Sequence, residues 1–297
     1  MKKKYILPII IVSTLSLLVY IEKSPAVFTV PFELLYDKED AFVDNVLLDL
    51  GELSDEAIPP KVFFLDVPIL TYHQVRPITE KDDKNFRRFI TSPEEFERQM
   101  QYLHDRGYSI ASLNDIVSHL ASSSPLKGKY VAITFDDGYQ SQYQNALPIL
   151  KKYNDTATFF IYANAISNLK ASMTWDEVVD LDRERMTIGA HTRSHALLTK
   201  ITDTKLLHDE IQGSKDDIES HLHKPTSLFA YPYGKYNDAT ISEVMWDGFS
   251  GAVGVTMGRL QTYDQRYALK RYNINDNDTQ FREIFEKGTN LHTGKDY

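Results

Sequence analysis

Short apolar runs alternate with amphipathic stretches along most of the chain, beginning near Val62. The apolar runs, which predict buried strands, are Pro68–Tyr72, Tyr130–Phe135, Ala157–Tyr162, Thr187–Ala190, Leu228–Tyr231, Gly251–Val255 and Ala268–Tyr272. Helical patterns follow Ser92, surround Ala146–Leu150, begin at Trp175 and cover Asp203–His221. This alternation predicts a parallel sheet with crossover helices, so the fold class is α/β. The length is enough for a distorted barrel of about seven or eight β/α units.

The N-terminus has a different pattern. Three lysines after Met1 precede an apolar run from Tyr5 to Ile21, which Glu22-Lys23 ends. Positive charge ahead of an apolar stretch is typical of an export signal. We therefore expect residues 1–25 to form a signal or membrane-anchor helix. A small-x-small cleavage site is missing, which favours a membrane-anchored protein at the cell surface over a cleaved and secreted one.

Two further boundaries follow from the same pattern. Residues 26–61 lack a strong period and carry acidic clusters, and Pro59-Pro60 punctuates their end. We interpret them as a linker. Residues 62–297 are then expected to form one folded domain.

Composition excludes several classes of function. Lys+Arg 33 against Asp+Glu 42 gives a formal net charge of −9, so we expect no nucleic-acid partner. The absence of cysteine (Cys 0) removes disulfides, thiolate metal sites and cysteine nucleophiles. A Ser-His-Asp hydrolase is disfavoured because no G-x-S-x-G motif is found.

Two motifs whose side chains could act in catalysis or metal binding come directly after predicted strands. Asp136-Asp137 ends an apolar run, and two carboxylates there need a cation or hydrogen bonds, although an isolated Asp-Gly is usually a turn. His191 and His195 stand four apart, a spacing that puts both rings on one face of a helical turn and suits a metal. Alone, such a pair is more often two surface histidines. His221 and His223 are a rival pair at the end of a polar helix.

Two weaker motifs also follow strands. His73 comes after Pro68–Tyr72, where a lone histidine is more often a hydrogen-bonded structural residue. Tyr231-Pro232-Tyr233-Gly234 predicts a rigid turn that can present a backbone N–H, although a plain β-turn explains it equally well.

Together, these motifs resemble the polysaccharide deacetylases, the NodB-homology domain of carbohydrate esterase family 4. Two departures from the general family pattern are visible: Phe229-Ala230-Tyr231 replaces an Arg ahead of Pro-Tyr, and a late Leu-x-His is missing. In both departures the chain resembles the branch of the family that deacetylates biofilm poly-β-1,6-N-acetyl-D-glucosamine. In that branch, the histidine that other members carry late in the chain comes instead from an early Tyr-His, which Tyr72-His73 resembles. A segment like Lys270–Asp276 is also present in that branch.

The resemblance implies a role for each site residue. Asp137, His191 and His195 hold a divalent metal, for which the ligand type favours zinc over Mg²⁺ or Ca²⁺ and tolerates cobalt, nickel or iron. Asp136 is the general base. These four residues belong to Asp136-Asp137 and His191–His195, which carry the resemblance together with Tyr231-Pro232-Tyr233-Gly234.

The remaining roles concern the other charged groups and the sugar. His73 is the general acid, and the Tyr233 backbone N–H stabilises the oxyanion together with the metal. Arg271 orients Asp136, with Lys270 as an equal rival. Trp175 and Tyr139 are candidates to line the sugar groove.

The resemblance therefore implies metal-dependent hydrolytic N-deacetylation of extracellular poly-β-1,6-N-acetyl-D-glucosamine, with this polymer as the substrate partner and the membrane as the site of anchoring. Three alternatives stay open: a deacetylase of peptidoglycan or chitin-type N-acetylglucosamine, an O-acetyl xylan esterase, and a surface glycan-binding protein without turnover. The sequence leaves protein partners unknown.

Overall fold

The computed structural model describes residues 63–286 throughout and, before them, only the backbone of Val12–Ser13 (β1), Ser16–Val19 (β2) and Phe28–Pro31 (β3). These three strands pair antiparallel. The chain divides into two compact units, Met1–Lys61 and Val62–Tyr297.

The predicted helix over residues 1–25 is not seen. Where that segment is described it is extended, and the rest of it lies outside the described residues, as does most of the predicted linker. Short runs of Val, Leu and Thr suit strands as well as helices, so an apolar pattern alone does not separate the two. Within the part of the chain that the structure describes, no helix is long and apolar enough to cross a membrane.

The second unit contains the remaining strands and all described helices. Its strands are β4 (Phe64–Asp66), β5 (Ile69–Tyr72), β6 (Gln74–Val75), β7 (Ile90–Thr91), β8 (Tyr108–Ile110), β9 (Lys129–Phe135), β10 (Thr158–Ile161), β11 (Thr187–Ala190), β12 (Leu228–Ala230), β13 (Gly251–Val253), β14 (Leu260–Thr262) and β15 (Tyr272–Asn273). Its α-helices are α1 (Pro93–Asp105), α2 (Leu113–Ala121), α3 (Leu147–Tyr153), α4 (Trp175–Arg183), α5 (Thr204–Leu222), α6 (Asp238–Trp246) and α7 (Asp278–Glu286).

One parallel sheet organises this unit, in the order β13-β12-β11-β10-β9-β5-β15. The first residues of β9 pair with β8, whereas its later residues pair with β5, where Tyr72 stands opposite Phe135. Because every pair in this sheet is parallel, the carboxyl ends of its strands lie at the same edge. Residues that follow these strands are therefore brought together. The predicted α/β class is confirmed.

One chain segment contacts both ends of this sheet. Leu269 bonds to β13, with its N–H donating to the Ala252 carbonyl at 2.9 Å and its carbonyl accepting from Gly254 at 3.0 Å. Three residues later, β15 pairs with β5 at the other end. The sheet is therefore curled, as predicted, and the segment 269–273 joins its two edges.

Local sequence explains where the helices begin. Ser92 caps α1, its hydroxyl accepting from the Glu95 N–H at 3.3 Å, and Pro93 occupies the first helical position. The predicted inward face of α1 is buried, with Phe96, Met100 and Leu103 among the core residues.

Candidate active site

The two adjacent carboxylates after β9 have different surroundings because the chain turns sharply between them. The Asp136 N–H donates to the Tyr72 carbonyl at 2.9 Å, so Asp136 still pairs with β5, and the residue is 4% exposed. Asp137 then has a φ of 76° and Gly138 a φ of 69°. A left-handed backbone is rare outside glycine, and here it redirects the chain immediately after the strand. Two neighbouring carboxylates therefore reach different partners.

Arg271 forms a bidentate ion pair with Asp136. Its Nη1 donates to Oδ1 at 2.8 Å and its Nη2 to Oδ2 at 2.7 Å. The guanidinium is itself buried, and its Nε donates to the Gly254 carbonyl at 2.8 Å. Burial opposes ionisation of Asp136, but the charge of Arg271, followed by that of His191, outweighs it and holds the pKa of the carboxyl below its usual value. Asp136 is thus a carboxylate at neutral pH, and lone pairs remain on its oxygens.

Sequence alone left Lys270 and Arg271 as equal candidates for this contact, and the structure places Arg271 there. Adjacent residues of an extended chain point to opposite sides. The Lys270 side chain accordingly packs on Gly258, where its Cδ lies 2.6 Å from the position that a Cβ would occupy. A side chain at position 258 would therefore require the Lys270 side chain to move.

Asp137, His191 and His195 converge as the sequence predicts. The Asp137 Oδ1 lies 3.5 Å from the His191 Nε2 and 3.2 Å from the His195 Nε2, and one ligand atom from each residue lies within 4.8 Å of the others. The His191 Nδ1 donates to the Ala230 carbonyl at 2.7 Å, which leaves its Nε2 free to act as a ligand. Two imidazoles and one carboxylate in this arrangement fit a divalent transition metal.

The two histidines do not lie on a helical turn, so that expectation is wrong. Residues 191–195 form a loop in which Thr192 has a φ of 66° and His195 a φ of 61°. The Thr192 hydroxyl accepts from the His195 N–H at 2.9 Å and closes the loop. Two residues with left-handed backbone, rather than one face of a helix, thus bring the two imidazoles together.

Glu210 of α5 holds this histidine loop from outside. Its Oε2 accepts from the Arg193 and Ser194 N–H groups at 3.1 and 2.9 Å, and its Oε1 accepts from the Ser194 hydroxyl at 2.5 Å. A buried carboxylate with three donors fixes the loop that carries both imidazoles. The sequence analysis missed Glu210, because it is separated from the loop in sequence and nothing in its own neighbourhood marks it.

His73 follows β5 and lies beside the carboxylates. Its ring packs against Phe89 with centroids 4.8 Å apart, and its buried Nδ1 has no hydrogen-bond partner within the described residues. Burial lowers the pKa of His73, although the charges of Asp136 and Asp137 act in the opposite direction. For the general-acid role that the resemblance implies, the ring must therefore take up a proton.

Gln142 joins the two strand ends that carry these groups. Its Nε2 donates to the His73 carbonyl at 2.7 Å and to the Asp136 carbonyl at 2.6 Å. One buried amide thus fixes the backbone of both residues. The sequence analysis missed Gln142 as well.

Tyr233 lies in a short turn, Pro232–Gly234, directly after β12 and Tyr231. Its backbone has a φ of 60°, and its ring is 59% exposed and packs edge-on against His195 with centroids 4.7 Å apart. A Cβ at Gly234 would lie 2.1 Å from Val255, so glycine is required there. The turn predicted from sequence therefore borders the histidine loop.

The two aromatic residues predicted to line a sugar groove have different surroundings. Burial, and then the charge of Asp137, raises the pKa of Tyr139 to about 12, which places Tyr139 close to the ligand set. Trp175 stacks on His221 with centroids 3.8 Å apart. The stack joins α4 to α5. His221 thus packs against Trp175, which does not favour the rival interpretation of His221 and His223 as a metal-binding pair.

A sequence profile described as Polysaccharide deacetylase matches residues 123–251, the stretch that carries both aspartates and both histidines. YxkH of Bacillus subtilis, named as a polysaccharide deacetylase, is 31% identical over 70% of this chain and 71% of its own length. The chain belongs to the polysaccharide deacetylase family. The deacetylase is therefore a hydrolase that acts on amide bonds, as the sequence resemblance implied.

Solved structures share the fold of this deacetylase. The Streptococcus pyogenes deacetylase PplD, in complex with acetate, has a TM-score of 0.66 and 27% identity, covering 71% of this chain and 93% of PplD. IcaB from Ammonifex degensii has a TM-score of 0.66 and 24% identity, covering 74% of this chain and 95% of IcaB. These likenesses support the curled parallel sheet.

Among curated relatives, the poly-β-1,6-N-acetyl-D-glucosamine N-deacetylase of Staphylococcus epidermidis is 28% identical over 60% of this deacetylase and 68% of its own length. Its counterpart in Staphylococcus aureus strain N315 is 23% identical over 80% of this chain and 89% of its own.

Proposed function

We propose that this deacetylase removes N-acetyl groups from poly-β-1,6-N-acetyl-D-glucosamine with the help of a divalent metal, most readily zinc. The observation that carries the proposal is the origin of the two groups beside Asp136. His73 directly follows β5, the first strand of the parallel sheet along the chain, and Arg271 directly precedes β15, the last, as the departures from the general family pattern imply. Relatives named for this polymer support the same branch.

Deacetylases of this family depend on a metal, and the residues present fit one. Asp137, His191 and His195 offer two imidazoles and a carboxylate within reach of one ion. Burial opposes ionisation of Asp137, but hydrogen bonds from His191 and His195 hold its pKa well below the usual value, so Asp137 is a carboxylate at neutral pH. A bound divalent ion would polarise the acetyl carbonyl and lower the pKa of water from about 15.7 to about 7.

The protein groups account for the proton transfers of amide hydrolysis. Asp136 accepts a proton from the attacking water, whose oxygen bonds to the acetyl carbon. The Tyr233 backbone N–H donates to the carbonyl oxygen as it becomes negative, a contact worth about 3–4 kcal/mol. A protonated His73 then donates to the glucosamine nitrogen as the C–N bond breaks. Acetate and a free amine leave the site.

Acetate release from defined substrates tests the proposal. The full chain, loaded with Zn²⁺, is offered β-1,6-linked N-acetylglucosamine oligomers, β-1,4-linked chitin-type oligomers, peptidoglycan and acetylated xylan, with Asp136→Asn as the inactive control. We expect the β-1,6 oligomers to give the largest kcat/KM. A preference for peptidoglycan or for the β-1,4 oligomers would contradict the polymer assignment, and release from xylan alone would contradict amide hydrolysis.

We also infer that residues 1–25 bring the enzyme to the cell surface, where the polymer lies. The three lysines and the apolar run after them support this placement. Cell fractionation of the full chain should find it with the membrane, and deletion of residues 2–25 should leave it in the cytoplasm. Equal fractions for both chains would contradict the inference.

A further inference from the structure

A second group of metal-ligating side chains lies where α5 meets α6, and it shares no residue with the active site. His208 is on α5, Glu243 is on α6 and Asp247 caps the end of α6. The His208 Nδ1 lies 2.8 Å from the Glu243 Oε1 and 2.9 Å from the Asp247 Oδ1. One ligand atom from each of the three residues lies within 4.8 Å of the others.

A simple ion pair does not account for this arrangement. Both carboxylates approach the same nitrogen, which carries at most one hydrogen. The Asp247 side chain is only 1% exposed, and its second oxygen, Oδ2, is buried and has no hydrogen-bond partner among the described residues. Buried polar atoms nearly always have a hydrogen-bond partner or ligand. We therefore expect Oδ2 to have a partner other than the described protein atoms.

The charges around Asp247 also leave room for a cation. Lys215 is the nearby lysine, but its ammonium donates to the Asp247 main-chain carbonyl at 2.7 Å. The carboxyl groups of Glu243 and Asp247 therefore share one imidazole, that of His208, as their ion-pair partner.

We propose that His208, Glu243 and Asp247 form a second divalent-cation site, which takes Zn²⁺ or a similar transition metal and links α5 to α6. One imidazole and two carboxylates are donors that zinc accepts. Metal–ligand distances of about 2.0–2.2 Å put tetrahedral ligands about 3.3–3.6 Å apart, so the group needs to open only slightly. His208 is half exposed, which leaves a path for the ion and for a water ligand.

The site would have a structural effect. Binding replaces the proton shared at the His208 Nδ1 and fixes the end of α6, after which the chain enters β13. Because the folded chain alone brings the three ligands together, bound metal stabilises it by mass action.

Zinc stoichiometry of the full chain tests the proposal. Metal-free protein is dialysed against low micromolar Zn²⁺ and its zinc content is measured by mass spectrometry. We expect wild type to retain two ions, Asp137→Ala to retain one, and Asp137→Ala combined with His208→Ala to retain none. In the Asp137→Ala background, zinc should also raise the melting temperature, and His208→Ala should abolish that rise.

Two further variants keep the result interpretable. Glu243→Gln preserves the shape of a partly exposed side chain, and it should lower zinc affinity at least tenfold without unfolding the chain. His104→Ala is the matched control, because the His104 Nε2 lies 3.0 Å from a single carboxylate, that of Asp155. It should leave the retained ion in place. An Asp137→Ala protein that retains no zinc, or zinc retention unchanged by His208→Ala and Glu243→Gln, would overturn the proposal.

Discussion

Asp136 and Asp137 are neighbours in the chain, yet one is neutralised by Arg271 and the other faces two imidazoles. The left-handed backbone at Asp137 separates the two side chains. A carboxylate already paired with a guanidinium is poorly placed to bind a metal, whereas it keeps lone pairs that accept a proton. The geometry thus supports the proposed roles, with Asp136 as the base and Asp137 as the metal ligand.

This division predicts different defects in two variants. Asp136→Asn should keep its zinc and lose about 100-fold to 10,000-fold in kcat, the usual contribution of a general base. Asp137→Ala should lose the active-site zinc together with activity. Metal analysis combined with acetate release measures both quantities, and equal zinc loss in the two variants would contradict the division of roles.

The ion pair between Arg271 and Asp136 leads to a second prediction. Lysine carries the charge but cannot make two parallel hydrogen bonds, so Arg271→Lys should misplace Asp136. A displacement of about 1 Å costs roughly 100-fold in rate. We expect kcat to fall by that order while KM and zinc content stay close to wild type. Lys270→Arg is the matched control and should retain activity; a larger defect in this control would return the role to Lys270.

His73, Asp136 and His191 could be predicted from the sequence because each directly follows a strand, and parallel strands bring their carboxyl ends together. The residues that position them were not visible. Gln142 and Glu210 act through contacts with backbone groups far away in the chain, and such contacts leave no local motif. The histidine spacing was found for the wrong reason, since a strained loop replaces the expected helical turn.

At the scale of elements, α5 supports the histidine loop through Glu210. Glu210→Gln replaces an acceptor-only group by an amide that presents donors to other donors, so the loop should loosen. By analogy with other groups that orient metal ligands, we expect zinc affinity to fall about 10-fold to 100-fold. Competition with a chromogenic chelator measures this affinity, and excess zinc should restore activity.

Glu219→Gln provides the control for that experiment. Glu219 lies on the same helix and also accepts a backbone N–H, that of Thr226 at 2.8 Å, but it does not contact the histidine loop. Zinc affinity of this variant should match wild type. If Glu210→Gln and Glu219→Gln lose the same affinity, Glu210 merely stabilises the helix.

Several elements of the second unit were not predicted from the sequence, namely β4, β6, β7, β8, β14, α2, α6 and α7. The strand β8 has three residues, too few to show a period. The helix α6 has a weak amphipathic pattern, since it buries Thr240 and Val244 and exposes Trp246. The predicted strands β12 and β13 are equally short, but all their residues are apolar, whereas Ser109 interrupts β8.

For the whole molecule, closure of the sheet and completion of the site depend on one segment. Residues 269–273 join β13 to β5 and carry Arg271 between these two contacts. An isolated carboxylate at Asp136 would be costly to bury, so its ion pair with Arg271 also favours the curled sheet. The alternating pattern predicted the sheet, but only the structure shows this coupling.

Stability of the whole chain should depend on pH through Asp155, which lies between α3 and β10 and contacts His104 of α1 at 3.0 Å. Burial raises the pKa of Asp155 even though His104 opposes the rise. An acid whose folded pKa is raised contributes its full stability below the unfolded value of about 3.9, and loses it as the pH rises through the folded pKa. Asp155→Asn removes this titration. The free energy of unfolding of Asp155→Asn, relative to that of wild type, should therefore increase as the pH rises above about 4.

Urea unfolding across that range measures the difference, and His104→Ala supplies the opposite change. Without the imidazole, the Asp155 carboxylate stays buried and loses the hydrogen bond that favours its charged form. Stability of His104→Ala should then fall more steeply with rising pH than that of wild type. A difference between Asp155→Asn and wild type that stays constant with pH would show that burial does not raise this pKa, because only a titrating group makes the difference change with pH.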